Sequence, residues 1–111
     1  MILTLQENGN LPSGIHWAKW EEFETRFGTN PHRRKLLKGL KAAITALRKA
    51  GCRIIYIDGS FVTAKELPND FDGCWSIEGV NADLLDPVFL DFSDGRAAQK
   101  AKYQGELFPA E

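Results

Sequence analysis

Residues 31–50 carry the longest helix signal in the chain. Asn30 and Pro31 form a typical helix start, because an asparagine side chain caps free backbone amides and proline fits the first helical position. Gly51 is expected to end this helix. Apolar residues recur at helical spacing on one face, namely Leu36, Leu40, Ala43, Ile44 and Leu47. In 111 residues a second core would not fit, so the helix belongs to a single domain, residues 1–111.

A second helix is indicated before it. Aromatic residues recur at helical spacing, and Gly28 is placed to end the helix. The stripe consists of Trp17, Trp20, Phe23 and Phe27. Steps of three and four residues on one face are typical of a helix that packs on a core. The alternative is an aromatic surface on which a ligand stacks.

Strand signals dominate the rest of the chain. We predict strands over residues 53–58 and 71–77, with a loop or short helix over 60–66 and a turn at Pro68-Asn69. Residues 2–5 are expected to form a short edge strand and Val88–Phe92 a third central strand, while Asn81 to Asp86 and Ala97 to Tyr103 read as short helical segments. The expected class is α/β or α+β, with a small mixed sheet flanked by N-terminal helices.

The charges are unevenly distributed. His32 to Lys49 contains seven lysines or arginines and no acid, whereas Asp58 to Asp94 contains nine acids and one lysine. A net charge of −1 excludes a strongly basic protein that coats nucleic acid. The acidic half suits divalent metal binding. The basic face of the 31–50 helix is either simply solvated or a docking surface for RNA or an acidic partner; its members are Arg34, Lys38, Lys41 and Arg48.

The termini and cysteines indicate a cytoplasmic protein. Residues 1–5 have no basic region of the kind that opens a signal peptide, and no apolar run approaches the ~20 residues that span a bilayer. Cys52 and Cys74 do not form a CxxC motif, so we expect two reduced thiols. With His16 and His32 as the only histidines, a histidine-rich zinc site is not expected.

The chemistry is concentrated where the two central strands meet. Gly59 follows an apolar run and allows a sharp turn in which backbone amides approach an anion, and Ser60 adds a hydroxyl donor. Asp70 and Asp72 lie two residues apart at the start of the next strand, so both side chains point to one face. Two adjacent carboxylates favour a cation, and Mg²⁺ prefers carboxylates together with phosphate oxygens. The competing interpretation is a hairpin with an Asx turn at Asn69-Asp70.

This pattern resembles the signature of the DNA polymerase β-type nucleotidyltransferase superfamily in its minimal form. The wider pattern is similar to a family of small, uncharacterised bacterial and prophage proteins placed in that superfamily. The segments that carry this second likeness are Glu7 to Pro12, Asn30 to Arg34, Asp58 to Lys65 and Gly105 to Pro109.

The resemblance implies a role for each site residue. Gly59 and Ser60 would bind the β- and γ-phosphates of a nucleoside triphosphate, and Asp70 and Asp72 would ligate Mg²⁺, with a two-metal site as one form. Thr63 and Lys65 would either contact the triphosphate or serve only as loop residues. Relatives add a third acid from a later strand, and Asp91 is the candidate here. The alternative is that the chain lacks the C-terminal strand that holds this acid.

Two functions follow from the resemblance. The first is transfer of a nucleoside monophosphate to a hydroxyl of a protein or RNA partner, as in some toxin–antitoxin and phage-related systems. The second is a catalytically inactive binding protein on the same fold: an antitoxin, a phage inhibitor or a regulatory subunit. The basic face of the 31–50 helix indicates a third function, independent of the resemblance, namely an RNA-binding module. A partner chain or self-association is expected if a sheet edge is exposed.

Overall fold

The computed structural model describes residues 5–11 and 14–110. Within them, helices pack on a mixed three-stranded sheet, which confirms the predicted class. The elements are α1 (Trp20–Phe27), α2 (Pro31–Lys49), β1 (Ile55–Asp58), β2 (Phe71–Ser76), α3 (Ala97–Tyr103) and β3 (Gly105–Ala110), with short 3₁₀ turns after β1 and between β2 and α3. The strand expected over residues 2–5 falls almost entirely outside the described residues.

Helix α2 forms as the sequence predicts. The Asn30 side chain accepts the backbone N–H of Arg33 at 2.8 Å, and Pro31 occupies the first turn. Gly51, with φ of 102°, follows the end of the helix. The predicted apolar face is buried apart from Ile44, which is half-buried, and Leu40 and Leu47 are fully buried. Burial of each such leucine contributes on the order of 1.5–3 kcal/mol, which explains why this helix centres the core.

Helix α1 is shorter than predicted. It begins at Trp20 and ends at Gly28, whose N–H donates to the Glu24 carbonyl at 2.9 Å. Trp17 lies before the helix and is 59% exposed, with its ring 5.9 Å from that of Tyr56. Phe27 is buried, so the prediction that the aromatic stripe packs on the core is confirmed for the helix. The same prediction is wrong for Trp17.

The strand order is β1-β2-β3, with β1 antiparallel and β3 parallel to β2. Phe71 and Trp75 of β2 are buried under the helices, as is Leu107 of β3. Because side chains alternate along a strand, Asp72 and Cys74 point to the opposite face. That second face is only half-buried, so the fold has two layers and one accessible sheet surface.

The prediction of a strand over Val88–Phe92 is wrong, because Pro87–Leu90 forms a 3₁₀ turn. The Asp86 carboxylate accepts the Val88 N–H at 3.1 Å and caps this turn. Phe89 is fully buried against Trp75 and Tyr103, whereas Leu90 and Phe92 are each 50% exposed. One buried ring in a run of apolar residues is the pattern of a turn that inserts a single side chain into the core.

The third strand is instead β3, which the sequence analysis did not predict. It follows α3 through Gln104, whose φ of 70° turns the chain back, and it pairs along the whole of β2. Helix α3 therefore supplies the crossover that a parallel strand pair requires. Among the described residues, no helix is long and apolar enough to cross a membrane.

The close approach of α2 and α3 gives a test of this packing. A Cβ on Gly39 would lie 1.9 Å from the Tyr103 carbonyl oxygen, so we expect Gly39→Ala to lower the free energy of unfolding by about 1–3 kcal/mol. Urea denaturation measures the change. Lys38→Ala on the exposed side of the same helix is the control, with an expected change within about 0.5 kcal/mol. Equal stability of the two variants would contradict the packing.

Candidate functional site

Acidic side chains form a row across the accessible face of the sheet. Asp72 is in register with Asp58 on β1 and with Glu106 on β3. Residues that are paired across strands project to the same face, so the three carboxylates are neighbours. Three neighbouring acids in a sheet repel one another, which is unfavourable unless cations or protons offset the charge.

Asp70 joins two of these acids in a tighter cluster. One carboxylate oxygen from each of Asp70, Asp72 and Glu106 lies within 4.8 Å of the others, and all three residues are half-buried. Burial and the neighbouring acids raise the pKa of Asp72 to about 6. Burial likewise raises the pKa of Asp70, which Lys100 partly offsets. Carboxylate oxygens in this arrangement are a donor set for a hard divalent cation.

Two cations border the cluster at β3. Arg96 Nη1 lies 3.3 Å and Lys100 Nζ 3.9 Å from Glu106 Oε2. The guanidinium of Arg96 also stacks on Phe108, 3.8 Å from the ring centroid. Arg96 and Lys100 therefore hold the Glu106 carboxylate from one side. The same carboxylate has an oxygen within 4.8 Å of oxygens of Asp70 and Asp72.

Gly59 brings a chain turn against the same carboxylates. Its φ is +75°, and a Cβ at this position would lie 3.1 Å from Asp72 Oδ2. Glycine adopts this conformation without strain and leaves room for the carboxylate. The 3₁₀ turn Gly59–Val62 starts here, so Gly59 lies directly beside Asp72 and Ser60 follows it in the turn.

The loop that continues from this turn is held by one buried arginine. Arg33 of α2 is 2% exposed and donates to the carbonyls of Phe61 at 2.7 Å, of Thr63 at 2.7 Å and of Lys65 at 2.6 and 3.1 Å. It also donates to the Phe27 carbonyl at 3.1 Å, which ties the loop to the end of α1. The planar guanidinium has five N–H donors in a fixed geometry, and here they set the path of the loop backbone.

The first residues of α2 extend this contact to the end of the loop. Asn30 Nδ2 donates to the Glu66 carbonyl at 2.8 Å, and His32 Nε2 contacts the Pro68 carbonyl oxygen. Together with Arg33, these side chains fix the connection between Ser60 and Asp70. The distance between the two halves of the motif is thus set by helix α2 and not by the sheet alone.

Thr63 and Lys65, the remaining residues of the expected phosphate loop, make different contacts. The Thr63 hydroxyl donates to the Ser60 carbonyl at 2.6 Å and accepts the Lys65 N–H at 3.1 Å, so it shapes the loop. Lys65 is exposed, and its carbonyl is the part that Arg33 binds.

Asp91, the expected third acid, does not join the cluster. It follows the 3₁₀ turn Pro87–Leu90, and its carboxylate accepts the Ser93 N–H at 3.0 Å, which lowers its pKa. The structure instead brings Glu106 to Asp70 and Asp72. A sequence signal for Glu106 exists in the alternation Gly105-Glu106-Leu107 directly after a short helix, since a strand there would point Glu106 and Leu107 to opposite faces.

One comparison with known proteins identifies a family. Residues 3–111 match a group described as "Family of unknown function (DUF6932)". The chain belongs to DUF6932. No curated protein and no solved structure matches the chain. The acidic cluster and the loop that Arg33 holds both fall inside the part of the chain that matches DUF6932.

The role of Arg33 in this DUF6932 chain can be tested by substitution. We expect Arg33→Met to lower the free energy of unfolding by roughly 2–4 kcal/mol, because several buried carbonyls lose their donor. Arg34→Met is the matched control, since Arg34 is exposed and makes one bond of 3.3 Å to the Gly28 carbonyl. Urea denaturation compares them, and similar losses for both variants would refute the assignment.

The raised pKa of Asp72 predicts how stability depends on pH. The folded-state pKa of about 6 exceeds the ordinary 3.8, so the folded chain binds this proton more tightly. The resulting stabilisation is complete below about pH 4 and is lost as the pH rises through about 6. Asp72→Asn should therefore stabilise the protein at about pH 7.5 by roughly 1 kcal/mol, after allowance for solvent screening, and change little at about pH 4.

Thermal melts across this pH range provide the measurement. Asp83→Asn is the control, because Asp83 is an exposed acid outside the cluster. A variant of Asp72 that gained nothing at neutral pH would show that burial and the neighbouring acids do not destabilise the ionised carboxylate of Asp72.

Proposed function

We propose that the chain is a Mg²⁺-dependent nucleotidyltransferase that transfers a nucleoside monophosphate from a nucleoside triphosphate to a hydroxyl of a protein or RNA partner. The observation that carries this proposal is the cluster of Asp70, Asp72 and Glu106, whose oxygens lie within 4.8 Å of one another beside the Gly59 turn. The combination of three acids and a glycine turn is what the sequence resemblance requires.

The residues present fit a magnesium ion. All three donors are carboxylate oxygens, the ligand type that Mg²⁺ prefers, and their mutual repulsion is relieved by a divalent charge. Asp70, Asp72 and Glu106 would hold the ion. When bound, Mg²⁺ polarises phosphate oxygens and stabilises the charge that develops on them.

The loop after β1 is suited to hold the triphosphate. Ser60 would contribute a hydroxyl, and the turn at Gly59, which lies against Asp72, would contribute backbone amides. Arg33 keeps the loop in one conformation, so a bound phosphate would not have to order it. Lys65 is exposed on the same loop, where its ammonium group is free to reach the triphosphate, while Thr63 supports the loop from within.

The transfer itself has simple requirements. The acceptor oxygen forms a bond to the α-phosphorus, the bond from that phosphorus to pyrophosphate breaks, and the hydroxyl proton passes to a carboxylate of the cluster. The free thiols Cys52 and Cys74 are in keeping with the cytoplasm as its compartment.

The second candidate is a catalytically inactive binding protein on the same scaffold, such as an antitoxin, a phage inhibitor or a regulatory subunit. The ion pairs of Glu106 with Arg96 and Lys100 favour it, because they neutralise part of the acidic charge without a metal. Both candidates share the fold and the Arg33-bound loop, and they differ in whether the cluster binds Mg²⁺ and triphosphate.

Ligand-induced stabilisation separates the candidates at the level of binding. We expect Mg²⁺ with a nucleoside triphosphate to raise the melting temperature by several degrees, since a ligand at about 100 times its Kd stabilises by ~2.7 kcal/mol. The double variant Asp70→Asn with Asp72→Asn should abolish the shift, and Glu106→Gln should reduce it strongly. Asp91→Asn is the matched control and should leave it unchanged. No shift with saturating triphosphate would overturn the proposal.

Label transfer tests the reaction itself. Incubation with Mg²⁺ and α-phosphate-labelled triphosphates should label an RNA or a protein in a cell extract, with release of pyrophosphate, and Glu106→Gln should abolish both. Triphosphate binding without any label transfer would support the inactive binding protein instead.

A further inference from the structure

The two outer strands of the sheet differ in how their edges are protected. On β3, the Leu107 N–H donates at 2.7 Å to Oε1 of Gln99, a side chain that is 1% exposed. At the start of β1, the Ser76 N–H of β2 donates to the carbonyl of Ile54, the residue before β1, at 3.0 Å. In an antiparallel pair every second residue bonds to the partner strand, so this bond decides which backbone groups of β1 face β2. The N–H and C=O groups of Ile55 and Ile57 therefore point away from β2. In the described part of the chain these groups have no recorded backbone partner.

An apolar groove lies along this open edge. It has a volume of about 650 Å³ and includes Ile55 and Ile57 of β1 together with Trp20 and Phe23 of α1 and Ile44 of α2. Each of these five side chains is only partly buried, although each packs against the core. The groove thus combines unpaired strand backbone with apolar side chains that are not fully covered.

The charge around the groove has one sign. Lys19, Arg48 and Arg53 line it and no acid does. None of these three cations has a recorded ion pair among residues 5–11 and 14–110. Arg48 and Arg53 lie at the end of the groove where β1 begins, so the positive charge is concentrated there.

We propose that this groove is a docking site for an extended peptide segment of a partner protein, which adds a fourth strand along β1 and places acidic residues at Arg48 and Arg53. Unpaired strand N–H and C=O groups are complemented by the backbone of another strand, and alternate side chains of that strand fill apolar pockets. The acid cluster lies on the opposite face of the sheet, so this site does not depend on the proposed catalysis.

Amide hydrogen exchange of the chain of residues 1–111 tests the proposal directly. The probes are two short synthetic peptides with apolar residues at alternate positions and a pair of glutamates at the N-terminal or the C-terminal end. Saturation with one of them should slow exchange of the Ile55 and Ile57 amides by roughly tenfold or more, because they become hydrogen-bonded. The same peptides with lysines in place of the glutamates are the control and should bind at least about tenfold more weakly.

Charge reversal on the protein supplies the matched variants. Arg48→Glu with Arg53→Glu should weaken binding of the glutamate peptide by roughly tenfold, since both residues are exposed and line the groove. Lys38→Glu with Lys41→Glu makes the same charge change on exposed positions of α2 outside this groove and should leave binding unchanged. Equal losses in the two double variants would point to long-range attraction and overturn the site.

Three further outcomes would also overturn it. The first is binding by neither glutamate peptide, and the second is binding that leaves exchange at Ile55 and Ile57 unchanged. The third is protection of these amides before any peptide is added. It would mean that the edge is already occupied, either by a second copy of the chain or by another segment of the same chain, such as residues 15–18, which line a pocket along β1. Sedimentation distinguishes these two, because only the first requires a dimer.

Discussion

The hydrogen bonds of Arg33 to the loop after β1 are the interaction on which the site depends. A buried guanidinium usually pairs with a carboxylate, but this one is satisfied by backbone carbonyls from two separate segments. Its ring contact with Phe61, 5.0 Å from the centroid, adds a face-on interaction. Lysine could not replace it, because a single ammonium cannot reach carbonyls that surround a planar group. The loop therefore takes its shape from the helix that precedes the sheet.

The row of acids across the sheet, in contrast to Arg33, is unfavourable for the stability of the fold. Burial and the neighbouring acids raise the pKa of Asp72, while the ion pairs of Arg96 and Lys100 are made with Glu106. Asp72, in the middle of the row, has acids on both neighbouring strands. Local conflict of this kind commonly marks a site at which function, and not stability, selects the residues. The fold tolerates it because the row lies on the accessible face and the apolar core on the other.

The sequence was sufficient for the features that local signals encode. The Asn30-Pro31 cap, the apolar face of α2 and the apolar runs around Gly59 and Asp72 each act within a few residues, and the structure agrees with them. The positions of Asp91 and Glu106 in the fold, in contrast, could not be predicted from local signals. Val88–Phe92 has a strand-like composition, yet Pro87 and the Asp86 cap turn it, and Glu106 reaches the acids only through a parallel crossover. The alternation around Glu106 indicates a strand, but no short-range signal shows that this strand pairs with β2. The hydrogen bonds of Arg33 to the carbonyls of residues 61–65 have no short-range signal either.

The different edges of the sheet also limit how the protein can assemble. Repeated edge-to-edge growth requires that every added unit present a fresh edge, as in a fibril. Here the Gln99 side chain already binds the Leu107 N–H on the outer side of β3, so the two edges of the sheet are not equivalent for a further strand. A buried glutamine thus favours addition of a strand at β1 over addition at β3, and this asymmetry works against repeated growth of the sheet in both directions.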